Sequence, residues 1–428
     1  MTKSDLKPFP YWWESGLFTA DAEDMGKSRW DVVVIGAGYT GLNAALTLKE
    51  NGLDVLVLEA GRIGEGASGR NGGMLGRLLI PGLGELCDEH GERKATELYR
   101  EACQSLDFTA DRVKNLGIEC DLELAGRVFP AANQRHLDAQ KRGGDLRTRL
   151  LGTEETLLNQ NDIQADLNSP LYVGGISQPD TGSLHPGKYV TGLAEKAAEQ
   201  GVDIWQKSSV TQVNEIHNGF EIILQGRSIR AENILMATNG YHGFLHAEFY
   251  HRIIPIGSSV IVTEEMEAEL VRNAMPTGKA MADSFKVLNY FRPTPDGRRL
   301  LIGGRPSIFK TPLQKQAGIL EERLRKIFPD LPEIRAEYVW SGNVAYGFNS
   351  LPHIGQMKGI YFASGYGGSG VAMSGYMGHK AALKILNKSD HETAFDDLPF
   401  ETRFYYNGQP WFLPLAMLGY KIKDKLGM

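Results

Sequence analysis

Six consecutive residues near the start of the chain have the types and spacing to hold a charged, extended ligand. Gly36, Ala37, Gly38, Tyr39, Thr40 and Gly41 follow the apolar run Val32 to Ile35. They open a stretch, Tyr39 to Asn51, whose residues Leu42, Ala45 and Leu46 share one helical face. A second apolar run, Val55 to Leu58, ends at Glu59, 18 residues after Gly41, and Ala60 follows. In such a strand, turn, helix and strand each residue has a physical task. Gly36 makes the tight turn, Gly38 lets backbone amides approach a pyrophosphate at the positive helix end, and Gly41 allows close packing of helix on strand. The Glu59 carboxylate would accept hydrogen bonds from adenosine ribose hydroxyls and disfavours a 2′-phosphate. The pattern reads as a dinucleotide site rather than a merely structural glycine turn, and by itself leaves FAD and NAD both open.

Three further segments favour FAD. Residues 61–76 are glycine-rich directly after the second strand, where an NAD-dependent dehydrogenase would begin a helix. Gly66, Ala67, Ser68, Arg70, Asn71, Gly72, Gly73 and Met74 are placed there along a long cofactor, against the alternative of a flexible surface loop. Thr238, Asn239 and Gly240 end a strand that follows a hairpin in which Val210 is the expected cofactor neighbour. Gly367, Gly368, Ser369, Gly370 and Val371 close the last strand and open the last helix, a second N-terminus suited to the negative charge of a reduced flavin.

The elements that must position these residues are interleaved along the chain. The expected order is an arm over 1–28 laid on the surface, a cofactor domain over 29–83, 185–250 and 340–395, a substrate domain over 84–184 and 251–339, and a tail over 396–428. Within these the patterns predict helices over 92–116, 185–200 and 370–386 and a hairpin of 209–216 with 220–224. Strands over 253–262, 286–291 and 299–302 predict an antiparallel second sheet. The fold class is α/β joined to α+β: an FAD-binding Rossmann-like domain interleaved with an antiparallel-sheet substrate domain.

Composition bounds the function. The 428 residues carry 46 Lys and Arg against 52 Asp and Glu, a formal charge of -6, so nothing favours nucleic acid as a partner. Cys87, Cys103 and Cys120 have neither zinc-ligand nor disulfide-framework spacing, no metal site is expected, and a reducing cytoplasm fits. No apolar run approaches the roughly 18 residues that span a bilayer. A soluble, cytoplasmic protein is expected. The tail from Trp411 to Leu418, followed by Lys421, Lys423 and Lys425, is read as packing on the protein rather than on a membrane.

At these motifs the chain resembles the D-amino-acid oxidase-like superfamily of FAD-dependent oxidoreductases, which includes glycine and sarcosine oxidases, over nearly its whole length. The segment Gly66 to Gly73, Trp340 to Asn343 before Leu351 to Gly355, and Gly408 to Pro414 in the tail look most like its gamma-glutamylputrescine oxidase branch. The resemblance implies a substrate-domain sheet roofing the flavin. It also implies dehydrogenation of an amine C–N bond by hydride transfer to the flavin, with oxygen or another acceptor reoxidising it. The cysteine that attaches flavin in monomeric sarcosine oxidase has no counterpart in Gly342 to Tyr346, so FAD should be held non-covalently. Lysines of that relative fall at Leu301 and Ala372. The first change leaves open a dehydrogenase that passes electrons from an amino acid to a quinone or a protein. A flavin-binding protein with a structural or regulatory role is the alternative from another class. Tyr366, His353 and Tyr346 are the catalytic candidates, and Tyr290, Arg292, Phe348 and again Tyr366 the substrate-binding ones. Aromatic rings suit an amine through cation–π attraction. For each of them ordinary packing is the competing reading, and for His353 a structural histidine.

Overall fold

The computed structural model describes residues 6–19, 26–241, 247–306 and 311–427. The cofactor unit is built on the strand Arg29–Ile35, which pairs in parallel with Val55–Leu58 on one side and Arg227–Met236 on the other. Asp203–Trp205 and Ile360–Ser364 extend this parallel core, and His353–Met357 adds an antiparallel edge. Central strands of a parallel sheet are covered on both faces, so they read as unbroken apolar runs. Val32, Val33 and Val34 are accordingly fully buried. One face carries Leu42 and Leu46, Leu193 and Ala197, and Met373 and Met377, from the helices Tyr39–Glu50, Pro186–Glu199 and Gly370–Ile385. The other meets an antiparallel meander through Trp205, Ile222 and Ile229.

The long helix Leu83–Leu116, interrupted at Gly91, buries Leu98, Ala102 and Leu106 in that same first core. This corrects the expected boundary at 84: the apolar stripe of the helix packs on the cofactor unit, and the first strand of the second sheet comes only at Arg127–Ala131.

The second sheet has the order 336–346, 254–263, 300–304, 289–293, 280–282, 127–131, 174–178 and 156–159. It is antiparallel except where 280–282 runs parallel to 127–131. The strand Ala336–Tyr346 belongs to it throughout, so the chain returns to the cofactor unit after Tyr346 rather than at 340. The helix Leu313–Ile327 was not foreseen. Its Ala317, Leu320, Leu324 and Ile327 fill the back of this sheet at helical spacing.

Two further expectations change. The arm is not merely laid on the surface: Trp12 is fully buried and joins Leu301 and Trp340 in a small apolar cluster. The tail packs only in part. Its helix, Leu413–Lys425, buries Met417 and leaves Leu415, Leu418 and Ile422 half or more exposed. Among the described residues no helix is long and apolar enough to cross a membrane.

Contact between the helices that open at the two glycine turns depends on Gly378, where a Cβ would fall 2.1 Å from the Thr40 carbonyl oxygen. Gly378→Ala should therefore destabilise the protein by about 1–3 kcal/mol through overpacking. Gly318 has nothing within 4 Å of a Cβ. Gly318→Ala should stabilise by roughly 0.5–1 kcal/mol, the helix-propensity gain at an exposed site. Midpoints of denaturant unfolding for the two variants should move in opposite directions.

Candidate active site

The C-terminal ends of all five parallel strands open onto one cavity of about 1560 Å³. Ligands of open α/β sheets bind at these ends, where the strand order switches direction. A drug-sized ligand needs roughly 300–1,000 Å³, so there is room for a dinucleotide and a substrate together.

At the first turn Gly36 has φ +107°, a conformation that favours glycine, and a Cβ at Gly41 would fall 1.9 Å from the Gly36 carbonyl oxygen. The Tyr39 amide, in the first turn of its helix, donates to Ser68 Oγ at 3.0 Å, and a Cβ on Gly38 would lie 2.9 Å from that oxygen. Glu59 accepts from the Ala37 amide through Oε2 and from the Gly61 amide through Oε1, both at 3.0 Å. Its carboxylate is thereby fixed at the cavity lip with lone pairs to spare. Thr238 Oγ1 is buried beside the cavity without a hydrogen-bond partner. Helix-end amides, a side-chain-free cradle, an oriented carboxylate and an orphaned hydroxyl together fit the adenosine diphosphate part of FAD.

The glycine-rich loop is held from three directions. Trp340 Nε1 donates to the Arg70 carbonyl at 2.7 Å and Trp12 Nε1 to the Asn71 carbonyl at 2.8 Å. Asn71 is turned inward: its Nδ2 donates to the carbonyls of Ala67 and Ser68 and its Oδ1 accepts from the Gly73 amide. Arg70 donates to the Ser341 carbonyl at 3.1 Å.

Of the expected cofactor residues, Gly36 to Thr40, Glu59, Ala60, Gly66, Ala67, Ser68, Arg70, Asn71, Gly72, Met74, Val210, Thr238, Asn239, Gly367, Gly368, Gly370 and Val371 line the cavity. Gly41, Gly73, Gly240 and Ser369 do not, being taken up in packing one layer behind it.

The substrate candidates divide. Tyr346, Phe348, Tyr366 and Tyr290 line the cavity. Tyr366 is 3% exposed and shares a 2.9 Å hydrogen bond with Thr40 Oγ1, and burial pushes its hydroxyl well above the usual phenol range. It stays protonated and orients rather than accepts a proton. The Tyr346 hydroxyl accepts from Arg305 Nη2 at 2.9 Å. Tyr290 lies across Gly303, where a Cβ would fall 2.2 Å from its ring.

His353 and Arg292 are not at the cavity, which corrects both expectations. His353 is 2% exposed, bonds Asn349 Oδ1 at 2.9 Å and stacks on Phe400, and burial pushes its imidazole down to about 4. It packs beneath the Gly347 and Gly365 turns. Arg292 is covered by the arm: its guanidinium lies 5.3 Å from the Trp12 ring and donates to the Leu184 carbonyl. Leu301 and Ala372 are both buried in apolar clusters.

The cavity also contains residues that the sequence patterns did not single out. Arg127 and Arg305 bring cations into it, and Phe412, Leu413, Met417 and Tyr420 make the tail part of its wall. A lone arginine heading an otherwise apolar strand, Arg127 to Ala131, was the available signal for the first.

The family model described as FAD dependent oxidoreductase (DAO) matches residues 31–383. The chain belongs to that family. It is 32% identical to a probable oxidoreductase OrdL of Haemophilus influenzae over 86% of this chain and 85% of that protein. It is 30% identical to the gamma-glutamylputrescine oxidoreductase of Escherichia coli over 93% of both. Among solved structures it matches the glycine oxidase of Geobacillus kaustophilus with TM-score 0.72 and 21% identity, covering 89% of this chain and all of that one. An L-proline dehydrogenase from P. horikoshii matches with TM-score 0.71 and 19% identity, covering 86% of this chain and 97% of that one. As a member of this family the protein is an FAD-dependent oxidoreductase.

Glu59 is expected to face the ribose end of the cofactor, so its loss should weaken cofactor retention. Hydrogen bonds to a charged acceptor are worth about 1.5–3 kcal/mol, so Glu59→Ala should raise the Kd for FAD roughly tenfold to a hundredfold. Flavin fluorescence titration of the apoprotein checks this, and turnover at saturating FAD should be little changed.

Proposed function

We propose that this enzyme oxidises the C–N bond of a primary alkyl amine of the gamma-glutamylputrescine type, acting in the cytoplasm with oxygen as acceptor and hydrogen peroxide as product. The observation that carries this reading is the aromatic wall of Tyr290, Tyr346 and Tyr366, in a chain with Ala372 where the sarcosine oxidase pattern has its carboxylate-binding lysine. Likeness to the E. coli gamma-glutamylputrescine oxidoreductase along almost the whole of both chains supports the substrate class.

FAD, when bound, supplies the two-electron acceptor for the hydride on the carbon beside nitrogen. The tasks left to the protein are binding, alignment and exclusion of water, which convert an encounter into a near-attack geometry. The rings attract the ammonium and pack on the neutral amine once its proton is lost. Thr40 fixes the Tyr366 ring through the shared hydrogen bond, and Arg305 fixes Tyr346. The tail residues Phe412 and Met417 add an apolar wall to the cavity. The oxidised amine leaves as an imine that takes up water to give aldehyde and ammonia.

Leu301 favours a second reading, a dehydrogenase of amino acids that uses a quinone or another acceptor, because no lysine stands there to assist oxygen. Oxygen consumption during turnover separates the two.

Anaerobic flavin reduction, or kcat/KM, should favour gamma-glutamylputrescine or a similar alkyl amine at least about tenfold over sarcosine, glycine and D-alanine, a difference of about 1.4 kcal/mol. A small amino acid as the best substrate would contradict the proposed class and leave the FAD chemistry standing.

A further inference from the structure

A buried charge is ordinarily offset by a paired group of opposite charge. Arg77, 2% exposed, pairs with Asp180 at 2.7 Å and with Glu155 at 3.4 Å. Arg127 differs. Its side chain lines the cavity, its Nε is buried without a hydrogen-bond partner, Nη2 reaches the Met74 sulfur at 3.5 Å, and the guanidinium lies 5.0 Å from the Phe129 ring without meeting an anion. Among the described residues it forms no ion pair. Space for the guanidinium depends on Gly76, where a Cβ would fall 2.6 Å from Nη1. Behind it stands a second cation, Arg292, whose Nε is also orphaned. Burial and then the neighbouring Arg292 lower Arg127 to about 10, which keeps it charged at neutral pH. An unpaired guanidinium in a low-dielectric site costs several kcal/mol unless an anion offsets it.

We infer that Arg127 is the anchor for a carboxylate on the substrate, so that the enzyme selects amines carrying an acidic group. This deepens the proposed function and rests on it for the identity of the amine. The cofactor is the other anion that enters the cavity, but its phosphate-binding amides and Glu59 stand on the first sheet. Arg127 stands on the second sheet, five strands from Tyr346, or about 24 Å at 4.8 Å per strand in an uncurved sheet. The sheet therefore holds Arg127 at one edge of an aromatic wall that runs from Tyr290, two strands away, to Tyr346 at the far side. A planar guanidinium with free donors suits bidentate binding of a carboxylate.

The test uses the FAD-saturated holoenzyme and two readouts. In the first, glutarate, a dicarboxylate with no amine to oxidise, is titrated while the flavin absorbance is followed. The wild-type protein should bind it, Arg127→Met should raise its Kd about thirtyfold, and Arg127→Lys should recover part of the affinity. In the second, the ratio of kcat/KM for gamma-glutamylputrescine over putrescine should fall by a similar factor in Arg127→Met. Unchanged glutarate binding in a variant that still holds FAD would overturn the inference, as would an unchanged ratio. Loss of FAD affinity with glutarate binding intact would also overturn it, by assigning Arg127 to the cofactor. Because the glutarate titration needs no turnover, it stands even if no amine reduces the flavin, a result that would sink the proposed substrate class alone.

Discussion

Two indole N–H groups, from Trp12 and Trp340, hold successive carbonyls of one glycine-rich loop, and the shape of the cavity follows from that grip. The loop leaves the cofactor sheet at Glu59 and runs beneath the second sheet. Its glycines leave it few side chains to pack besides Ile63 and Leu75, so much of its order comes from hydrogen bonds. Trp340 brings that order from the second sheet, Trp12 from the N-terminal arm, and Asn71 from within. A buried indole that lost its acceptor would leave an unsatisfied donor at about 1–3 kcal/mol. The same contacts that shape the loop therefore lock the two sheets together around it.

With the loop fixed, the rest of the site is a matter of which atoms are left uncovered. Helix-end amides and the Glu59 carboxylate define one end of the cavity, the aromatic wall another, and the unpaired Arg127 a third. Glycine acts here by withholding atoms. Gly72 and Gly303 give the Tyr290 ring its place, and Gly378 brings the last helix onto the Thr40 turn. One cation, Arg305, stands against Tyr346 in the aromatic wall, and another, Arg127, is placed on a different strand of the second sheet.

The cofactor half was legible in the sequence because its signals are local. A turn that needs positive φ, a helix N-terminus and an acid at the end of the next strand lie within a few dozen residues, and the structure places Gly36, Gly38 and Glu59 at one cavity edge. What escaped was set by long-range packing. Nothing near His353 in sequence shows that Phe400 will cover it, and nothing near Arg292 shows that Trp12 will. The helix Leu313–Ile327 carries an apolar period that the strand signals on either side of it obscure. The long helix Leu83–Leu116 shows its stripe plainly, but which core that stripe joins is a tertiary choice. The tail became a cavity wall for the same reason.

A cradle of this kind should hold FAD by shape and hydrogen bonds alone. Cys87, Cys103 and Cys120 all lie away from the cavity lining. Acid precipitation of the purified yellow protein, with the flavin in each fraction quantified, is the direct test of non-covalent attachment. The expected result is a colourless pellet and one equivalent of intact FAD per chain in the supernatant. Flavin that remained with the polypeptide would contradict it.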